Sequence, residues 1–133
     1  MFYEDSDWVV YIPETYAASC KLGQGTSWCT ASTESSDYYD DYTEDGPLYI
    51  IINKKDKNEK YQFHFETDSF MDIDDDDIDL FAFFKEERNR GLLNRFKGYD
   101  EYIYDIYENI DIDFTTMHYP SDFEGIYSDF YVK

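Results

Sequence analysis

Thirty-one Asp and Glu residues stand against eleven Lys and Arg in this chain, a formal net charge of −20, and that imbalance restricts what the chain can fold into. A sequence of such charge with few aromatics stays disordered, because it buries too little apolar surface to offset the entropy lost on ordering. Fifteen Tyr, eleven Phe and two Trp remove that obstacle. Rings bury a large area per residue, so residues 1–133 are expected to form a single domain with an aromatic core and an anionic surface. Its 133 residues are enough for a core without disulfide or metal staples.

The charge is unevenly spread. Residues 1–60 sum to −7, 61–84 to −8 with no base, 85–98 to +3 and 99–133 to −8. Nucleic acid and the anionic cytoplasmic leaflet repel such a surface, which leaves a basic protein surface or a cation as its natural partner. No run approaches the ~20 apolar residues of a membrane span. The acidic start, residues 1–8, is unlike the basic and then apolar start of a signal peptide, so an intracellular protein is expected. Cys20 and Cys29 are the only cysteines, too few for a disulfide framework or a four-cysteine zinc site. Two reduced thiols are the plain expectation, with a single bridge left open.

The run Trp8–Ile12 is β-branched and aromatic and ends at Pro13, which predicts a strand. Glu14–Leu22 predicts about two helical turns stopped by Gly23. A loop over 23–27, a short buried piece over 28–31 and a polar acidic stretch over 32–45 follow. Pro47–Ile52 and Tyr61–Phe65 predict a hairpin across 47–66, with the charged Asn53–Lys60 segment as its turn. Alternation places Tyr61, Phe63 and Phe65 on one face and Gln62, His64 and Glu66 on the other, which predicts an antiparallel sheet with one wet face. Asp72–Asp77, Ile78–Phe84 and a basic run to Lys97 predict one helix that complements its macrodipole, with Gly98 as terminator and Gly91 as a weak point. Ile103, Ile106, Tyr107 and Ile110 follow helical spacing; Tyr102, Tyr104 and Ile106 alternate as in a strand, and helix is favoured. Irregular structure or short edge strands are expected over 111–133. The expected fold class is α+β, an antiparallel sheet including the 47–66 hairpin packed against a few helices.

Asp72, Asp74 and Asp76 alternate like the start of an EF-hand loop. Asp77, however, stands where the sharp-turn glycine belongs and Phe83 where the bidentate glutamate belongs, so no metal is expected. Gly23-Gln24-Gly25-Thr26 lacks the Gly-Lys-Ser/Thr of a phosphate loop and the third glycine of a dinucleotide fingerprint; the plain reading is a tight turn that brings Trp28 to the core. Cys29 with His64 or His118 has only its residue types to suggest a nucleophile and base, and neighbouring aspartates raise a thiol's pKa. No catalytic residue and no cofactor are expected. More informative is tyrosine among acids: Tyr38-Tyr39-Asp40-Asp41-Tyr42, Tyr99-Asp100-Glu101-Tyr102 and Tyr104-Asp105-Ile106-Tyr107-Glu108. Such rings either fill a core with a solvated rim or supply flat contact area beside carboxylates that stand in for phosphates.

A compact chain of this length is roughly 35 Å across, and duplex DNA of that length carries about 20 charges, the same order as the −20 here. In size, charge and Asp/Tyr character the chain resembles small acidic bacteriophage proteins that inactivate host defence nucleases by occupying their DNA-binding clefts, among them anti-restriction DNA mimics and anti-CRISPR proteins. Locally, Leu22-Gly23-Gln24-Gly25-Thr26-Ser27-Trp28-Cys29-Thr30-Ala31, followed by Tyr42, Leu48-Tyr49-Ile50 and Tyr61-Gln62, looks like a segment of uncharacterised phage proteins, over about residues 8–84. The resemblance implies a phage-encoded inhibitor in the host bacterial cytoplasm. Its partner would be a basic nucleic-acid-binding protein, foremost a CRISPR effector nuclease, with no direct contact to nucleic acid or membrane. The candidate partner-binding residues are Asp37, Tyr39, Asp40, Asp41, Tyr42, Glu44 and Asp45; Asp72, Asp74, Asp75, Asp76, Asp77 and Asp79; and Asp100, Glu101, Tyr102, Asp105 and Glu108. Two other readings stand beside this one: an enzyme that modifies a host defence factor through Gly23–Ala31, and an acidic partner or chaperone of a basic viral protein.

Overall fold

The computed structural model describes residues 1–32 and 35–118, with side chains through residue 110. It is an α+β structure in two compact units, Met1–Leu80 and Phe81–Lys133.

The first unit is built on a five-stranded antiparallel meander of β1 (Tyr3–Glu4), β2 (Trp8–Tyr11), β3 (Tyr49–Asn53), β4 (Lys60–His64) and β5 (Ser69–Met71), in that spatial order. The expected hairpin is β3–β4, with Tyr49 opposite Phe63 and Ile52 opposite Lys60. Its turn is organised by Asn53, whose Oδ1 accepts from the Lys55 and Asp56 amides at 2.8 and 2.9 Å. The chain between β2 and β3 forms α1 (Tyr16–Leu22), a 3-10 turn (Cys29–Ala31) and α2 (Asp37–Asp45). α1 ends at Gly23, as its sequence predicts, and begins two residues later than the expected Glu14, where the Thr15 hydroxyl accepts from the Ala18 amide.

A tight turn then delivers Trp28 to the core, 3% exposed. Gly25 takes a left-handed φ of 85°, and the Thr26 hydroxyl donates to the Gly23 carbonyl at 2.6 Å. Gly23 is required for space: a Cβ there would lie 2.5 Å from Ala31 Cβ and 3.1 Å from the Ser19 carbonyl oxygen.

Trp8, Val10, Ile51, Phe63 and Phe70 are buried on one side of the sheet. The wet opposite face expected from alternation is overturned at Gln62 and His64, both buried. The segment between β2 and β3 folds over them: the Thr30 hydroxyl donates to Gln62 Oε1 at 2.8 Å, and His64 bonds the Tyr42 carbonyl at 2.8 Å. Toward β2 the same face opens into a groove of about 460 Å³, floored by half-buried Val9, Tyr11 and Ile52 and rimmed by Lys54, Lys57 and Lys60.

The single helix expected from Asp72 to Lys97 is also overturned. Asp72–Asp77 is a turn, with the Asp72 amide donating to the Asp76 carbonyl at 2.9 Å and Met71 bridged to Asp77. Asp72 Oδ1 accepts from the Asp74 and Asp76 amides at 2.9 and 3.0 Å. Aspartate competes in this way with helical hydrogen bonds, so helix begins only at Leu80.

From Leu80, the last residue of the first unit, the chain forms α3 (Leu80–Lys85), a 3-10 turn (Glu87–Asn89), α4 (Arg90–Phe96) and α5 (Glu101–His118). The break falls at Glu86–Asn89, where the Asn89 side-chain Nδ2 donates to the Phe83 carbonyl at 2.7 Å; Gly91 lies inside α4. Ile103, Ile106 and Ile110 are buried along one stripe of α5, in the favoured helical register. α5 runs to His118, which overturns the irregular structure expected over 111–118; the expectation for 119–133 lies outside the described residues. Cations of the basic run are engaged locally. Arg90 donates to the Phe84 and Lys85 carbonyls, and Lys97 Nζ lies 4.1 Å from the Tyr107 ring centroid. No helix among the described residues is long and apolar enough to cross a membrane.

Gly23→Ala is expected to destabilise the protein by roughly 1–3 kcal/mol through overpacking, read as a lower denaturant midpoint; an unchanged midpoint would contradict the contact with Ala31.

Candidate protein-binding surface

α2 exposes five carboxylates, Asp37, Asp40, Asp41, Glu44 and Asp45, and has no base in its last turn. Asp37, Asp41 and Asp45, and likewise Asp40 and Glu44, are four residues apart, and each such like-charge pair disfavours a helix by about 0.2–0.5 kcal/mol. Glu44 and Asp45 also sit at the negative end of the macrodipole. The helix is secured by its other face. The hydroxyl of buried Tyr39 donates to the Pro13 carbonyl at 3.2 Å. His64, 1% exposed, places Nε2 2.8 Å from the Tyr42 carbonyl and 3.2 Å from that of Gly46. Two carbonyls around Nε2 require that it carry a proton, and Nδ1 lies 2.8 Å from the Thr67 hydroxyl. A core histidine thereby satisfies carbonyls at the end of α2.

This arrangement corrects two expected contact residues. Tyr39 is spent in the core, and half-buried Tyr42 packs edge-on against His64 at 5.0 Å. The exposed ring is Tyr38, at 53%, which sequence reasoning did not select. Tyr42 stands three residues from Tyr39 and four from Tyr38, so helical spacing alone does not separate the buried ring from the exposed one.

The Asp72–Asp77 turn is held against the tight-turn segment. Trp28 Nε1 donates to the Asp72 carbonyl at 2.7 Å and the Ser27 amide to the Ile73 carbonyl at 2.9 Å. Asp72, expected as a contact residue, builds the turn with its carboxylate; Asp74, Asp75, Asp76, Asp77 and Asp79 are exposed. The carboxylates of Asp72, Asp74 and Asp76 approach within 4.8 Å of one another, a spacing open to an oxygen-seeking cation. Asp75 is left-handed, φ 65°, and its carboxyl is raised above the usual range, first by burial and then by the charges of Asp76, Asp72 and Asp77.

The first two acidic segments meet at one cleft of about 100 Å³, lined among others by Cys29, Tyr38, Tyr42, Gln62, His64 and Asp75. Both cysteines are free, and Cys29 is exposed. His64 has both ring nitrogens committed to other partners and is not set up as a base for that thiol. The third segment belongs to the second unit. Asp100 Oδ1 accepts from the Tyr102 and Ile103 amides at 2.8 and 3.2 Å, capping α5; Glu101, Tyr102, Asp105 and Glu108 are exposed.

Fold and surface together define an α+β protein that presents one carboxylate-covered helix and one aspartate turn around a shared cleft. No protein-family model, curated protein or solved structure matches the chain.

The raised Asp75 carboxyl gives a signed pH dependence. The folded chain holds this proton more readily than the unfolded chain, so the ionised group costs stability above the raised value, and the cost is relieved as pH falls through it. Asp75→Asn, which tolerates the left-handed backbone, is expected to raise Tm at neutral pH and to reduce the gain seen on mild acidification. Thermal melts across that range check this; a variant with the parent's Tm and pH dependence would contradict it.

Proposed function

We propose that this protein is a stoichiometric binding inhibitor of a basic nucleic-acid-binding protein, of the kind phages direct at host defence nucleases, with a CRISPR effector nuclease as foremost target. In this reading it acts in the host bacterial cytoplasm, and the carboxylates of α2 and the Asp74–Asp77 turn occupy an Arg/Lys-lined channel in place of phosphates.

The observation that carries the reading is α2 itself. Its nine residues span about 13.5 Å at the helical rise of 1.5 Å per residue. Five charges over that length give about one per 2.7 Å, between the 3.4 Å of a single DNA strand and the 1.7 Å of the duplex. Folding gains nothing from this density. Among the described residues no carboxylate of α2 or of the Asp72–Asp77 turn is in an ion pair, so the charge is left for a cationic partner. Long-range attraction of that kind speeds association and weakens with salt. The commitment of His64 to backbone carbonyls weighs against catalysis through Cys29.

Two sets of neutralising changes test the reading: Asp40→Asn with Asp41→Asn and Glu44→Gln, and Asp74 to Asp77 each to Asn, with Asp72 retained to keep the turn. Each set is expected to weaken inhibition of the target nuclease by roughly tenfold or more, ~1.4 kcal/mol or more, with an unchanged circular dichroism spectrum. Full potency in both folded variants would sink the assignment.

A further inference from the structure

We infer that the junction of α4 and α5 is a docking groove for an arginine side chain of a basic partner. The inference rests on the preceding reading for the partner's charge and is independent of the partner's identity.

Lys97, Tyr99, Asp100, Glu101, Tyr104 and Asp105 line a groove of about 500 Å³ within the second unit. Tyr99 and Tyr104, which line it, are 43% and 44% exposed, and they are two of the five large hydrophobic residues exposed in the described chain. Clustered exposed rings, unlike scattered ones, mark interaction surfaces. Helical spacing puts Glu101, Tyr104, Asp105 and Glu108 on one stripe of α5. The Tyr104 ring lies 6.0 Å from that of Tyr107, a ring contact that supports the aromatic face before a ligand arrives.

Neighbouring tyrosines already receive cations. The Arg95 guanidinium lies 5.6 Å from the Tyr99 ring centroid and donates to its hydroxyl at 3.3 Å. Lys97 Nζ lies 4.1 Å from the Tyr107 centroid. Asp100 Oδ1 is used in capping α5, so the carboxylates for an incoming cation are those of Glu101 and Asp105, beside the Tyr104 ring. A ring flanked by carboxylates favours guanidinium over ammonium. The planar group stacks on the ring, forks to a carboxylate and sheds water more easily than the compact, strongly hydrated ammonium. α2 would supply attraction to any basic surface, and this groove would read arginine.

Full-length protein titrated with hexa-arginine and hexa-lysine peptides at physiological salt, followed by calorimetry, tests this without any nuclease. The expected result is an arginine preference of about threefold to tenfold. Tyr104→Ala should abolish that preference, and Tyr104→Phe should keep it because the ring remains. Glu101→Gln with Asp105→Asn should reduce it by a route that leaves every ring in place. Neutralised α2 should weaken both peptides and leave their ratio unchanged. No arginine preference in the parent, a preference that survives Tyr104→Ala in a folded protein, or a ratio lost with the α2 charges would overturn the groove. The nuclease result for α2 and the turn stands or falls separately.

Discussion

The acidic elements of the first unit hang on a few buried donors supplied by its core. His64 reaches from β4 to the Tyr42 and Gly46 carbonyls, and Trp28 reaches from the tight turn to the Asp72 carbonyl. Counter-cations would have fixed α2 and the aspartate turn equally well, but they would have neutralised them. Buried neutral hydrogen bonds anchor a charged element without reducing its outward field, and they are screened little by salt. The architecture therefore separates two dependences: the fold leans on burial and internal hydrogen bonds, while the proposed attraction to a basic partner would lean on exposed charge.

That separation makes sense of local features that oppose stability. α2 repeats carboxylates at four-residue spacing and places Glu44 and Asp45 at its negative end; Asp75 takes a left-handed backbone with its carboxyl raised by its neighbours. An isolated helix with the α2 sequence would not be expected to form in water. Sites that violate local preference while the surrounding fold enforces them are where function concentrates. The second unit uses a different device. Arg90 is turned onto carbonyls, Arg95 and Lys97 onto rings and Arg88 onto Glu86, and its exposed tyrosines stand beside carboxylates.

Much of this was legible in the sequence, wherever one local rule was enough. Alternation and β-branching marked β2 and the β3–β4 hairpin, Gly23 closed α1, and the spacing of Ile103, Ile106 and Ile110 separated helix from strand. The failures have physical causes. α2 read as a polar stretch because its stability is tertiary, coming from Tyr39 and a histidine beyond the next strand. The aspartate run read as a helix start because acids suit a helix N-terminus, yet the same side chains capture backbone amides and closed a turn first. The buried face at Gln62 and His64 depends on an insertion between strands that no period reveals, and β1 and β5 are too short to show one. Counting acids located the candidate surface. It did not separate acids that face outward from Asp72 and Asp100, which are consumed by backbone amides.

The central claim is that anionic side chains occupy a nucleic-acid channel one molecule at a time. The most direct measurement titrates the protein against RNA-guided and restriction nucleases, following target-DNA binding and cleavage across a range of salt. Loss of DNA binding is expected near one equivalent, with apparent affinity falling as salt rises. Inhibition far below one equivalent, inhibition indifferent to salt, or no inhibition of any nuclease would contradict it.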